Sequence, residues 1–248
     1  MGFGSCEAGQ PVTTTESVNE PGIGQLNEGS LHASLKRRYA EPGDTFEVPY
    51  GRFVVDLVKA PGTAEELLVE IQTGSFGAMG KKLDHLLGEH RLLLVHPIAV
   101  RTRLERRAAD KKVSARRSPK RGSIYSLFDE LVSIPTLLDH PNLSLEVILF
   151  DEVRKQVHDP SLRRRRGGYR TVDRQIEEIV DQQRFDSVLD LRRLLPSTLP
   201  DVFTTADIAE QAGCGRDAAQ KLAFCFQAAN LIDRIDRTKA GYRYRISS

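Results

Sequence analysis

The chain has 248 residues, room for a full core domain and a small second one, and its 36 Lys and Arg against 34 Asp and Glu leave a net charge of only +2, so bulk charge names no partner. Three cysteines, Cys6, Cys214 and Cys225, lack metal-ligand or disulfide-framework spacing, and the apolar runs fall short of the roughly 18 residues of a membrane span. Disulfide scaffolds, zinc modules and membrane-spanning chains are set aside, and a reduced, soluble, cytoplasmic protein is expected.

Residues 1 to 24 carry neither a basic nor an apolar targeting pattern and predict a disordered leader. "NEGSLHASLKRRY" then predicts a helix with Leu31, Leu35 and Tyr39 on one stripe, Asn27 as its cap and Glu28 in its first turn, where a carboxylate suits the helix dipole. "TFEVPYGRFVVDLVKAPG" predicts two extended pieces around Pro49 to Gly51, with Phe53, Val55 and Leu57 on one face and Val54, Asp56 and Val58 on the other. In the third strand, "LLVEIQTG", Leu67, Val69 and Ile71 face one way and Leu68, Glu70 and Gln72 the other. "KKLDHLLGEH" predicts a helix, and "RLLLVHPIAV" a strand covered on both faces. A helix between the third and fourth strands favours a parallel crossover.

Residues 101 to 122 hold ten Lys or Arg against two acids and predict a basic hairpin or loop inserted into the core domain. "IYSLFDELVSIP" predicts helix, "LSLEVILFDEVRKQ" strand, and "LRRRRGGYR" closes the domain. "TVDRQIEEIVDQQRF" and "DSVLDLRRLL" predict connecting helices. From Thr204 the pattern becomes a short helix, a Gly-containing turn, a longer helix and a hairpin around Lys239 to Gly241, a winged helix-turn-helix layout.

Glu28, Asp56, Glu70 and Gln72 are polar groups that this pairing brings towards one cleft. Converging carboxylates repel unless a cation lies between them, and an oxygen-lined site suits magnesium or manganese. An acid on the first helix, an Asp late in the second strand and Glu-x-Lys on the third, in αβββαβ order, mark the PD-(D/E)xK nuclease superfamily, which residues 25 to 100 resemble. The resemblance implies that Asp56 and Glu70 hold a Mg2+ or Mn2+ ion, with Glu28 as the helix acid, for phosphodiester hydrolysis. The superfamily's lysine falls at Gln72, and an amide is no general base at neutral pH. Gln72 would then position water, or Lys81 or Lys82 on the next helix would supply the amine. The plainer alternative makes Asp56 a partner of Arg52 or Lys59, and Glu70 with Gln72 the solvated face of an edge strand. His32, one turn from Glu28, is within reach of the cleft but reads first as an ordinary structural or surface residue.

The expected fold is therefore α/β, with an αβββαβ restriction-endonuclease-like core over residues 25 to 160, a basic and helical linker over 161 to 200, and a small α+β winged-helix domain over 201 to 248. DNA, duplex or branched, is the expected partner, through Arg116, Arg117, Lys120 and Arg121 in the basic insertion and Arg163 to Arg166 after it. Arg216, Gln220 and Lys221 at the start of the recognition-type helix would meet a groove. RNA and a homodimer stay open, and no membrane is involved. The alternative function is a catalytically inactive DNA-binding or regulatory protein on the same fold.

Overall fold

The computed structural model describes residue 1 and residues 29–107, 114–162, 168–239 and 241–247. The leader, Asn27, Glu28, Cys6, Arg163 to Arg166 and the tip of the basic hairpin lie outside the described residues.

The first helix, α1 (Ser30–Tyr39), begins after Gly29 as its N-cap and carries Lys36, Arg37 and Arg38 in its last turn, where cations oppose the helix dipole. Leu31 and Leu35 bury the expected stripe, and the Tyr39 hydroxyl donates to Glu146 at 2.5 Å. Strands β1 (Thr45–Tyr50) and β2 (Phe53–Lys59) form a hairpin closed through Gly51, whose φ of 57° is one that glycine adopts without a side-chain penalty. Then come β3 (Leu67–Ile71), α2 (Gly80–Leu87) and β4 (Leu92–Arg107), and β3 pairs parallel with β4, as the intervening helix requires.

Strand β4 runs sixteen residues, pairs antiparallel with β5 (Ser114–Arg117) near its far end, and lies parallel to β6 (Leu143–His158) along nearly its whole length. The basic insertion is thus a hairpin that extends the sheet. A short helix, α3 (Phe128–Leu131), precedes β6, and β7 (Tyr169–Phe185) returns antiparallel to it. The result is a mixed seven-stranded sheet in the order β1-β2-β3-β4-β6-β7, with β5 on β4.

β7 corrects the expectation of a helix at "TVDRQIEEIVDQQRF". Its register to β6 shifts three times, between Leu149 and Phe150, Asp151 and Glu152, and Lys155 and Gln156. Each bulge adds a residue, so Ile176 and Ile179, three apart, both pack on the cluster under α1. A strand with bulges imitates the spacing of a helix.

The sheet separates two apolar layers. One face carries Leu57, Val69, Ile71, Leu93, Val95, Ile148 and Phe150 under α1; the other carries Val58, Leu68, Leu92 and Leu94 under α2 and α3. After α4 (Val188–Leu191) come β8 (Phe203–Thr204), α5 (Thr205–Ala212), α6 (Arg216–Ala228), β9 (Ile232–Thr238) and β10 (Gly241–Ile246). Thr204 and Asp207 cap α5 reciprocally, and Gly213 ends it at φ 61°. The last three strands form a second sheet, β8-β10-β9. α6 docks on the first unit, with Phe128 and Phe226 edge to face at 5.4 Å, and the buried cluster beneath α2 continues through Leu222 and Phe226 to Tyr244. Cys225 is a buried core residue whose thiol burial pushes up to about 12, and Cys214 lies at the turn before α6. Among the described residues no helix is long and apolar enough to cross a membrane.

Candidate active site

Strands β2 and β3 separate where Asp56 and Glu70 stand. Their pairing runs through Lys59 with Leu67, Val58 with Leu68 and Leu57 with Val69, and there it ends. The next amide of β3 with no strand partner on that side, Ile71 N–H, is taken by the Asp56 side chain at 2.8 Å. On the other edge of β2 the ladder skips Glu47, which lies at φ 52° between the Phe46–Leu57 and Val48–Val55 pairs. This irregularity corrects the expected alternation: Val55 joins Val58 in one apolar cluster and Leu57 falls in the other. The strand changes phase at Asp56.

The same Asp56 oxygen, Oδ2, also lies 3.1 Å from His32 Nε2 on α1. Burial would raise the Asp56 pKa, but the bonds from His32 and Ile71 and the charges of His32 and Lys82 lower it overall. Oδ1 makes no hydrogen bond to the described residues. Asp56 is therefore bound to neither Arg52 nor Lys59, the partners named in the plainer alternative, but to His32 and Ile71 N–H; Lys59 is held by Asp44 and the Tyr39 carbonyl.

Glu70 lies on a central strand and is 7% exposed, so it is no solvated edge residue. Lys82 Nζ on α2 donates to Glu70 Oε1 at 2.5 Å and to the Val54 carbonyl at 2.6 Å. The second oxygen, Oε2, is buried without a hydrogen-bond partner. Burial first and the Asp56 charge second push the Glu70 pKa up, against Lys82, which pulls it down. A buried carboxylate oxygen left unpaired costs about 1–3 kcal/mol, more when charged, unless something binds it.

Gln72 turns into the following loop: its side-chain N–H2 donates to the Ser75 carbonyl at 2.6 Å, while its own carbonyl accepts from His96 Nδ1 at 2.8 Å. Of the two lysines considered, Lys81 is exposed and Lys82 is the one at the carboxylates. His32, weighed for the cleft and set down as an ordinary residue, is at Asp56, and His96 is a contact that sequence reasoning did not assign. His32 lies one residue after the buried Leu31 on α1, a signal that it sits at the edge of the packed stripe.

The acid pair offers two carboxylate oxygens, Asp56 Oδ1 and Glu70 Oε2, to a hard cation. Magnesium binds through one or two carboxylates and keeps several waters, and the residues fit that pattern. Among the described residues no group of three or more His, Cys, Asp or Glu is placed to hold a metal, so water, backbone or substrate oxygens would complete the shell.

The basic residues divide. Arg116, Arg117, Lys120 and Arg121 are exposed and make no ion pair among the described residues; Arg117 and Arg121 line a cavity of about 370 Å³ with Arg101 and Arg103. Arg216 and Gln220 are exposed at the start of α6. Lys221 is not free, as had been expected: it binds Asp129 at 2.8 Å and Asp217 at 2.5 Å, tying α6 to α3.

Residues 29–186 match the family described as "Domain of unknown function (DUF8091)". An uncharacterized protein of Treponema pallidum (strain Nichols) is 32% identical over 203 residues, spanning 82% of this chain and 79% of that protein. No solved structure matches the chain.

Proposed function

This chain belongs to the DUF8091 family, and we propose that its domain is a metal-dependent phosphodiesterase of PD-(D/E)xK type acting on DNA, aided by a C-terminal winged helix. The observation that carries the reading is the pairing of Asp56 and Glu70 at the point where β2 and β3 separate, with one Glu70 oxygen buried and unpaired beside Lys82.

Asp56 and Glu70 would hold a magnesium or manganese ion, which supplies Lewis acidity towards a phosphate when bound. Asp56 is kept ionised and oriented by Ile71 N–H and His32, so its second oxygen faces the site with a fixed direction. Lys82 fixes the Glu70 rotamer and holds a positive charge where a phosphodiester would gain negative charge. Gln72, committed to Ser75, shapes the loop after β3. The exposed cations of β5 and the segment after it would hold the nucleic-acid backbone.

A second reading, a DNA-binding protein that has lost hydrolysis, is favoured by one observation: no lysine stands at position 72, and Lys82 is already bound to Glu70. One assay separates the two. Purified protein is incubated with supercoiled DNA, single-stranded DNA and RNA in magnesium, manganese or chelator, beside Asp56→Asn and Glu70→Gln. Metal-dependent cutting that falls at least a hundredfold in both variants is expected. Binding without cutting, unaffected by metal or by either substitution, would leave only the second reading.

A further inference from the structure

Beside the acid pair, the sheet buries a second carboxylate under two arginines. Glu152 on β6 is wholly buried; it accepts from Arg154 Nη2 at 2.6 Å and Nε at 3.1 Å, from Thr102 Oγ1 at 3.0 Å and from Arg174 Nε. Burial opposes its charge, and Arg174 and then Arg154 more than offset that, holding the carboxyl below its ordinary range. Glu152 takes Nε and Nη2 of Arg154 and Nε of Arg174, and so fixes the direction of both guanidiniums. Nη1 of Arg154 and Nη2 of Arg174 make no hydrogen bond among the described residues, and both side chains line a cavity of about 340 Å³.

The other walls are as firmly placed. The segment after β5 brings Ser118 and Lys120 to the cavity; Ser118 N–H bonds the Thr102 carbonyl at 2.8 Å. Gly122 lies so close to β4 that a Cβ there would stand 2.4 Å from the Ala99 carbonyl oxygen. His96 lines a further wall; a carbonyl only accepts, so its Nδ1 bond to Gln72 assigns the proton to Nδ1 and leaves Nε2 an acceptor. Of the two acids at the rim, Asp129 is bound by Lys221, which Asp217 shares, and Glu130 accepts from Phe76 N–H. The cations and acids around the recess therefore balance, and it is the guanidinium N–H groups aimed into it, not an excess of charge, that a phosphate would meet.

The cavity is not isolated. Thr73 follows Gln72 directly, Arg174 Nη1 reaches the Thr73 carbonyl at 3.5 Å, and Thr73 and Arg174 also line a neighbouring cavity of about 210 Å³ shared with His32, the partner of Asp56. Neither cavity includes Asp56 or Glu70, so a ligand seated on the two arginines would pass Thr73 and His32 to meet the acid pair.

The geometry points to a phosphate subsite: the Arg154–Arg174 recess seats a phosphate of the nucleic-acid strand, next to the phosphodiester presented to Asp56 and Glu70. Planar guanidinium edges suit phosphate oxygens, and an outward pair preset by a buried acid loses little freedom on binding. The strand as ligand rests on the phosphodiesterase reading; the phosphate chemistry rests on the recess alone.

The test is fluorescence anisotropy of a short single-stranded DNA in chelator, with wild type, Arg154→Met, Arg174→Met and Lys120→Ala, each checked for folding by circular dichroism. At least tenfold weaker binding is expected for each arginine variant and about threefold for Lys120→Ala, which lies on an exposed segment and leaves the core untouched. Inorganic phosphate and a nucleoside monophosphate should compete only at millimolar concentration. Unchanged affinity in Lys120→Ala and the folded arginine variants would overturn the subsite. Tight capture of the free monophosphate, with oligonucleotide binding indifferent to the substitutions, would overturn the strand as its ligand. Arginine-dependent binding without any cleavage would sustain the recess while hydrolysis fell. Metal-dependent cleavage whose KM ignores the arginines would do the reverse.

Discussion

Glu70 and Glu152 are both glutamates buried in the large sheet, and their surroundings are opposite. Glu152 receives donors on both oxygens from two arginines and a threonine, and its pKa is lowered; Glu70 is bonded by Lys82 on one oxygen with help from the Asp56 backbone, keeps its other oxygen without a partner, faces the Asp56 charge, and its pKa is raised. A saturated buried acid holds other groups in place. An acid left half-bound beside a second acid is unfavourable in the resting protein, and it is the kind of arrangement that binding a cation relieves.

The sharpest break of the contrast is the same substitution at both positions. Glu152→Gln strands two guanidiniums without their anion and should cost about 3–5 kcal/mol in urea unfolding. Glu70→Gln removes a charge the fold disfavours and leaves an amide that can still accept from Lys82, so stability should hold or rise. The pH dependence carries opposite signs. With a folded pKa below its ordinary 4.5, Glu152 stabilises above that pH, and the contribution is lost as pH falls through the folded value. With a folded pKa above 4.5, Glu70 contributes stability below that pH, and it is lost as pH rises through the raised value. Unfolding from pH 3 to 8 should therefore show a flatter acid limb in Glu152→Gln and a smaller decline above pH 4.5 in Glu70→Gln. Equal losses in the two variants would erase the distinction.

Next in size is Lys82→Met. It removes a charged hydrogen bond to Glu70 and one to the Val54 carbonyl and should cost about 1–3 kcal/mol. If the cost comes from stranding Glu70, adding Glu70→Gln to Lys82→Met should recover most of it, a coupling that unfolding of the four proteins measures. Strict additivity would mean that Lys82 acts through α2 packing instead.

The contrast was half legible in the sequence. Glu70 and Gln72 stand out because "LLVEIQ" alternates cleanly, and the buried run of β4 announces its two covered faces; both depend on neighbours within one strand. Asp56 was found, but its partner was set down as an ordinary residue, because His32 reaches it from a helix 24 residues earlier and the change of face along β2 is visible only in three dimensions. The arginine pair was hidden for a related reason. Glu152 and Arg154 share a face by simple alternation, yet Arg174 lies on β7, whose bulges made its apolar residues look helical. Register shifts and cross-strand partners are tertiary facts, and local periodicity does not carry them.

The smallest expected effect concerns the other basic surface. Lys221 was read as a groove contact, but Asp129 and Asp217 hold it, and their hydrogen bonds, with their charges behind them, push its pKa up. Exposed pairs are worth at most about 1 kcal/mol, and salt at about 1 M, with a Debye length near 3 Å, screens most of that. Lys221→Ala should therefore lower stability slightly at low salt and not at high salt. Its effect on DNA binding discriminates further: a lysine that neutralises a phosphate lowers the slope of log affinity against log salt by about one when removed. Lys221→Ala should leave that slope unchanged, while Arg216→Ala, exposed at the start of α6, should reduce it if this end of the helix meets nucleic acid. A reduced slope in Lys221→Ala would mean that α6 releases Asp129 on binding, and that the junction between the two sheets opens when DNA is engaged.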